Sequence, residues 1–266
     1  MARRMKRLTY TLLLLMIACV HSFSQTLADS LQGITLITTD KLGNCYAVLQ
    51  SEVIKLDPQG RKLNNFSRKD FGPISQVDSR DPLRVHLFYR DFGMVCVLDN
   101  QMGETSILDL RAAGLIDPVV IAHAVDGGLW VYERLNNQLL KYDDRVQQQL
   151  LAIDMFQFSR KPLNPVIMKA SDNWLVLETE SEIYIFDRFG SYVRSIPLGK
   201  KSTVLKIEDQ LLWYSDPESI IGLNLRLNTE KRVGYPVDTA LQQLELTPAN
   251  FWILTQKGTL KRIPVK

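Results

Sequence analysis

Residues 119–153 read VVIAHAVDGGLWVYERLNNQLLKYDDRVQQQLLAI. Four strand-like runs are visible: Val119 to Val125, Leu129 to Glu133, Gln138 to Tyr142 and Gln149 to Ile153. Between them lie polar breaks, of which Asp126-Gly127-Gly128 is the clearest turn. The breaks are too short for crossover helices, so the runs predict an antiparallel meander of four strands.

Two markers of this unit recur along the chain. An aromatic residue returns at Tyr46, Phe88, Trp130, Trp174, Trp213 and Trp252, with gaps of 42, 42, 44, 39 and 39 residues. An apolar residue follows each by 10 to 12 positions: Leu56, Leu98, Tyr142, Phe186, Leu223 and Ile263. Two markers in phase six times match the roughly 40-residue, four-strand unit of a β-propeller. The expected fold is therefore all-β, a six-bladed propeller. A five-bladed ring is the alternative, with the shorter fifth and sixth units merged.

The fourth unit repeats the plan with Val166 to Ala170, Trp174 to Glu178, Glu182 to Phe186 and Tyr192 to Ile196. The first shows Cys45 to Leu49 and Glu52 to Leu56; the second shows Arg84 to Tyr89, Met94 to Leu98 and Thr105 to Leu110. Val204 to Glu208, Leu211 to Ser215 and Ile220 to Leu223 form the fifth; Leu241 to Leu246, Phe251 to Thr255 and Thr259 to Ile263 form the sixth. Thr26 to Leu31 are expected to supply an outer strand to the sixth unit and so shield its edge; a three-stranded blade is the alternative. The recurrent aromatics read as filler between blades, where one large ring buries roughly 150–250 Å².

The N-terminal text carries Arg3, Arg4, Lys6 and Arg7, an apolar run from Leu12 to Val20, and His21-Ser22-Phe23-Ser24-Gln25. That order reads as a secretory signal over residues 1–24, cut after Ser24, with one propeller domain over residues 25–266. The apolar run is less than half of the roughly 20 residues a membrane span needs. In a competing reading, Met16-Ile17-Ala18-Cys19 is a lipobox and Cys19 a lipid anchor. Removing residues 1–24 takes the formal charge from +3 to −1. A near-neutral chain gives no electrostatic case for nucleic acid. Cys45 and Cys96 read as buried free thiols, and no Cys/His spacing supports a metal, a cofactor or redox chemistry.

The innermost strand of each propeller blade lines a central channel. The residues expected at its ends are Thr39 and Asp40, Val77 and Asp78, His123 and Asp126, Lys169 and Asp172, Lys206 and Glu208, and Glu245. The acidic residues drift against the aromatic marker, which favours ordinary turn roles over a Ca²⁺ ring. No catalytic motif is present, so no catalytic residue is assigned. A break in the repeat is the better binding clue. Asp154 to Pro162 inserts Met155, Phe156 and Phe158 beside Arg160 and Lys161, a composition enriched at protein interfaces and equally compatible with local packing.

Gly43-Asn44-Cys45-Tyr46 with Val53-Ile54-Lys55-Leu56-Asp57, and Asn173-Trp174 with Ile183-Tyr184-Ile185-Phe186-Asp187, resemble the hairpins of exported bacterial propellers with degenerate repeats. The Phe-Ser-Gln ending resembles export signals of Bacteroidota-type bacteria. This resemblance implies an architecture and leaves function open among enzymes, ligand binders and scaffolds. The leading expectation is a non-catalytic protein-binding or scaffold propeller in the periplasm or at the outer membrane, an accessory of an assembly or secretion machine. Met155, Phe156, Phe158 and Arg160 are its expected contacts. The alternative is an exported hydrolase or lyase with a channel-mouth site drawn from Asp40, His123, Asp126 or Lys169.

Overall fold

The computed structural model describes residues 31–235 and 240–265. The expected signal segment, Cys19 and nearly all of the expected closing strand lie outside those residues. Leu31 alone of that strand is described, packing against the cluster that joins the last blade to the first.

Six antiparallel sheets follow one another in chain order. Blade one holds β1 Leu36–Thr39, β2 Cys45–Leu49, β3 Glu52–Leu56 and β4 Lys62–Ser67. Blade two holds β5 Gln76–Asp78, β6 Val85–Tyr89, β7 Met94–Leu98 and β8 Glu104–Asp109. Blade three holds β9 Pro118–His123, β10 Leu129–Glu133, β11 Gln138–Tyr142 and β12 Gln149–Asp154, and is followed by the short helix α1, Phe156–Ser159. Blade four holds β13 Pro165–Ala170, β14 Trp174–Thr179, β15 Glu182–Asp187 and β16 Tyr192–Pro197. Blade five holds β17 Leu205–Glu208, β18 Leu211–Ser215, β19 Ile220–Asn224 and β20 Thr229–Val233. Blade six has three strands among the described residues, β21 Leu241–Leu246, β22 Asn250–Thr255 and β23 Leu260–Pro264.

The first strands close a ring in the order β1, β5, β9, β13, β17, β21 and back to β1. The fold is thus a six-bladed β-propeller, and the five-blade alternative falls. Ring closure is tightened by the Ile34 N–H, which donates to the Gly258 carbonyl at 3.1 Å. Gly258 has φ +72° and leaves only 3.1 Å between a built Cβ and the Ile34 carbonyl, so both backbone angle and space call for glycine.

Burial grades from the channel outward. In blade three β9 and β10 are buried throughout, while β12 alternates exposed and half-buried residues. In blade five the outer strand β20 is exposed along its length. Outer strands with such text, Thr-Glu-Lys-Arg-Val in β20, carry little apolar signal and escape a reading based on hydrophobic runs.

Six hydrophobic clusters fill the six gaps between blades, and each recurrent aromatic points into the gap toward the following blade. Tyr46 meets Val85 and Leu87 of blade two; Phe88 meets Ile121 and Val131 of blade three; Trp130 meets Met168 and Leu175 of blade four. Trp174 joins Leu205 and Ile207 of blade five, Trp213 joins Leu244 and Ile253 of blade six, and Trp252 joins Ile37 and Cys45 of blade one. Burial is unequal. Trp130 and Trp252 are fully enclosed, whereas Trp174 and Trp213 are half-buried. Trp174 reaches the rim, where its indole N–H donates to Gln210 Oε1 at 2.9 Å. Trp213 lies across Gly222 of its partner strand, where a Cβ would come within 2.7 Å of the ring.

The second marker is followed by Asp or Asn in the first five blades, and the structure shows why. Oδ1 of Asp57 accepts the N–H groups of Gln59 and Arg61, that of Asp99 those of Gln101 and Gly103, and that of Asp187 those of Phe189 and Ser191. Asp143 and Asn224 do the same with their own turns. Each short side chain thereby replaces backbone partners in the turn between the third and fourth strands. Cys45 and Cys96 are buried free thiols in different blades, and burial pushes the Cys96 thiol up to about 12.

Candidate functional site

The first strands of all blades run the same way, from an entry mouth near Thr35 and Gln242 to an exit mouth near Asp40 and Glu208. Between the mouths the channel is crossed by polar side chains. Thr39 Oγ1 donates to Glu245 Oε2 at 3.1 Å, and Lys169 Nζ donates to Thr38 Oγ1 at 3.0 Å. Lys206 Nζ pairs with Glu208 Oε1 at 2.8 Å and also bonds the Leu246 carbonyl. This belt separates a cavity of about 90 Å³ on the exit side from one of about 360 Å³ on the entry side.

Asp40, Asp78, Lys169, Lys206, Glu208 and Glu245 gather around the exit cavity. Asp40 is occupied locally: Oδ1 accepts the N–H groups of Leu42 and Asn44, and Oδ2 accepts the Asn44 amide and the Tyr46 hydroxyl. Asp126 belongs elsewhere, at an exposed hairpin where Oδ2 pairs with Lys141 at 2.5 Å. Asp172 pairs with Arg80. Of the four residues from which the alternative enzyme site would be drawn, Asp40 and Lys169 line the exit cavity, Asp126 lies at an exposed hairpin and His123 packs against His86. Among the described residues no group of three or more His, Cys, Asp or Glu is placed to hold a metal ion.

His123 is buried between blades two and three against His86, with ring centroids 4.8 Å apart and a 31° tilt. Neither ring nitrogen of His123, nor Nδ1 of His86, has a hydrogen-bond partner among the described residues. Burial, reinforced by repulsion from His123, lowers the His86 pKa to about 4. Beneath the pair, Asp78 Oδ2 accepts the His123 N–H at 2.7 Å. Burial raises the Asp78 pKa, but the Lys169 charge and the N–H groups of His123 and Arg80 outweigh it and hold the carboxyl below its usual range. Burial pushes both imidazoles of this packed pair toward the neutral form.

On the entry side, Glu178 of β14 is buried beside the larger cavity. Its Oε1 accepts the Ser202 N–H at 2.7 Å, the only hydrogen bond it makes among the described residues. Burial raises its pKa to about 7, against the opposing pull of the Ser202 N–H and of Lys201. Nothing in the spacing of Glu178 marks it in the sequence, where it ends an ordinary strand.

The Asp154–Pro162 excursion divides into core and surface. Met155 is fully buried, and Phe158 stacks on Tyr192 at 4.4 Å and 17° while meeting Phe186 edge-on. These two residues are packing elements and are withdrawn from the expected contacts, since folding α1 over the edge of blade four turns them inward. Phe156 is 46% exposed and Arg160, with φ +57°, is also exposed. Their neighbours on the entry face were not legible as one patch. Asp117 and Arg134 form a 2.6 Å ion pair, and their chain neighbours Ile116, 65% exposed, and Leu135, 62% exposed, flank it. Arg134 also reaches Asn164 at 3.4 Å, linking the patch to the segment after α1.

No family model matches the chain, and no curated protein matches it. Solved structures do resemble it in fold. The WD40 domain of Neurospora crassa Pan2 superposes with a TM-score of 0.60 at 11% identity, covering 88% of this chain and 76% of that one. A streptogramin B lyase gives 0.58 at 15% identity, covering 88% and 84%. PorZ, an essential surface component of the type-IX secretion system of Porphyromonas gingivalis, gives 0.52 at 10% identity, covering 89% of this chain and 37% of PorZ. At these identities the likeness establishes the propeller fold alone.

Proposed function

We propose that this chain is a non-catalytic protein-binding propeller of the bacterial cell envelope, exported by residues 1–24 and serving as an accessory to outer-membrane assembly or secretion. The observation that carries the reading is the entry-face patch of Ile116, Leu135 and Phe156, flanked by Arg134 and Arg160. Apolar side chains mixed with arginine on loops of a rigid ring are the composition of a protein contact. The fold likeness to a WD40 domain and to a secretion-system component is consistent with this role.

The test is co-purification from mildly solubilised envelopes, comparing the native chain with an Ile116→Asp, Leu135→Asp, Phe156→Asp variant. A partner retained by the native chain and lost by a folded variant is the expected result. Recovery of both only as free monomers would sink the reading. Peptide mapping of the envelope-derived protein should find Gln25 first; a lipidated Cys19 would mean a membrane-tethered protein in place of a soluble exported one.

A further inference from the structure

The entry cavity of about 360 Å³ falls within the roughly 300–1,000 Å³ range of small-molecule sites. Its charged lining is one-sided. Lys169 stands at the floor, shared with the exit cavity and with its ammonium on Thr38 Oγ1, Lys201 stands exposed at the rim, and Glu178 is the one acidic residue on the lining among the described residues. Glu178 is 1% exposed, and its Oε2 has no hydrogen-bond partner among the described residues. That oxygen is not sealed off as the unpartnered buried atoms elsewhere in the chain are; it keeps access to the cavity and is free to bond a ligand there. The remaining lining includes Leu36, Ile74 and Leu205, which suit an apolar body.

We propose that this cavity binds an organic molecule by its carboxylate, held by the Lys201 ammonium and the Glu178 carboxyl above the Lys169 floor, with the apolar body against Leu36, Ile74 and Leu205. Near neutral pH the Glu178 carboxyl keeps its proton in a large share of molecules and donates to the incoming carboxylate, a charge-assisted bond of the short, strong kind. The charges facing Glu178 are Lys201, which opposes retention of that proton, and Glu180, which favours it. The carboxylate belongs either to a short free acid or to the C-terminal residue of a peptide. The site stands independently of the docking patch.

The test is calorimetry on the full exported chain with 4-methylpentanoate and N-acetyl-alanyl-leucine, each beside its amide. Each effective acid should bind at least about tenfold more tightly than its amide. Preference for 4-methylpentanoate assigns a free-acid site; preference for the dipeptide assigns a chain terminus. Lys201→Met should weaken binding about fivefold or more, and its exposed position keeps the test open if Lys169→Met does not fold. Native affinity should fall from about pH 6 to about pH 8, and Glu178→Gln should flatten that dependence. Equal binding of acids and amides, no binding of either acid at about 10 mM, or full affinity in Lys201→Met would overturn the proposal.

Discussion

Gln76 of blade two forms both hydrogen bonds of a strand pairing with Ile121 of blade three: Oε1 accepts the Ile121 N–H at 3.0 Å and Nε2 donates to the Ile121 carbonyl at 2.7 Å. Gln243 of blade six repeats the arrangement on Ile37 of blade one, at 3.1 and 2.6 Å. First strands around a channel splay too far apart to pair through their backbones. A side-chain amide, with a carbonyl acceptor and two N–H donors in one plane, spans the gap, and Nε2 of Gln76 donates also to the Met168 carbonyl of blade four at 3.2 Å. Gln76→Leu strands a buried N–H and C=O, each costing about 1–3 kcal/mol, so urea melts should show a loss of roughly 2–4 kcal/mol. A loss within about 0.5 kcal/mol, the scale of a neutral surface change, would mean these bonds do not tie the blades together.

The tryptophans should separate. Trp130→Ala removes a fully enclosed ring and is expected to cost about 3–5 kcal/mol. Trp174→Ala removes a half-buried ring at the rim and should cost about 1–2 kcal/mol, below the range for a fully buried aromatic. Equal losses in denaturant melts would contradict the graded burial.

The excursion after blade three should separate in the same way. Phe158→Ala breaks the stack on Tyr192 and is expected to lower stability by about 2 kcal/mol, less than a full core deletion. Phe156→Ala should stay within about 0.5 kcal/mol, as surface changes do, while weakening partner capture. A melt that ranks the two the other way would return Phe158 to the surface.

Two buried groups give opposite pH slopes. His86 has a folded pKa of about 4 against an ordinary 6.5, so the unfolded chain takes the proton first and stability falls as pH drops through that window. Glu178 has a folded pKa of about 7 against 4.5; its favourable contribution is complete below 4.5 and is lost as pH rises through 7. A tenfold difference in proton affinity between the folded and unfolded chain is worth about 1.4 kcal/mol. Stability against pH should therefore fall less steeply between 6.5 and 4 in His86→Leu, whereas Glu178→Gln, which keeps an acceptor for the Ser202 N–H, should lose the decline between 4.5 and 7. Unchanged curves would show that neither group titrates with folding.

The chain alone determined the blades. Strand text in the β9 to β12 region, the aromatic returning from Tyr46 to Trp252 and the turn Asp after Leu56, Leu98, Tyr142 and Phe186 are all local, because alternating burial and Asx-type turns act within a few residues. The outer strands β4 and β20 were less visible, since their exposed residues carry no apolar pattern. Only the closed ring decided the rest. It stacked His86 on His123, set the Ser202 N–H against Glu178 and paired Asp117 with Arg134 beside Ile116 and Leu135. The same packing turned Met155 inward and left Phe156 outside. A channel takes its side chains one blade at a time, and no spacing along the chain constrains which residues from separate blades converge. Their meeting is set by the packing of sheet on sheet, which also sets the desolvation that raises Glu178 and lowers His86.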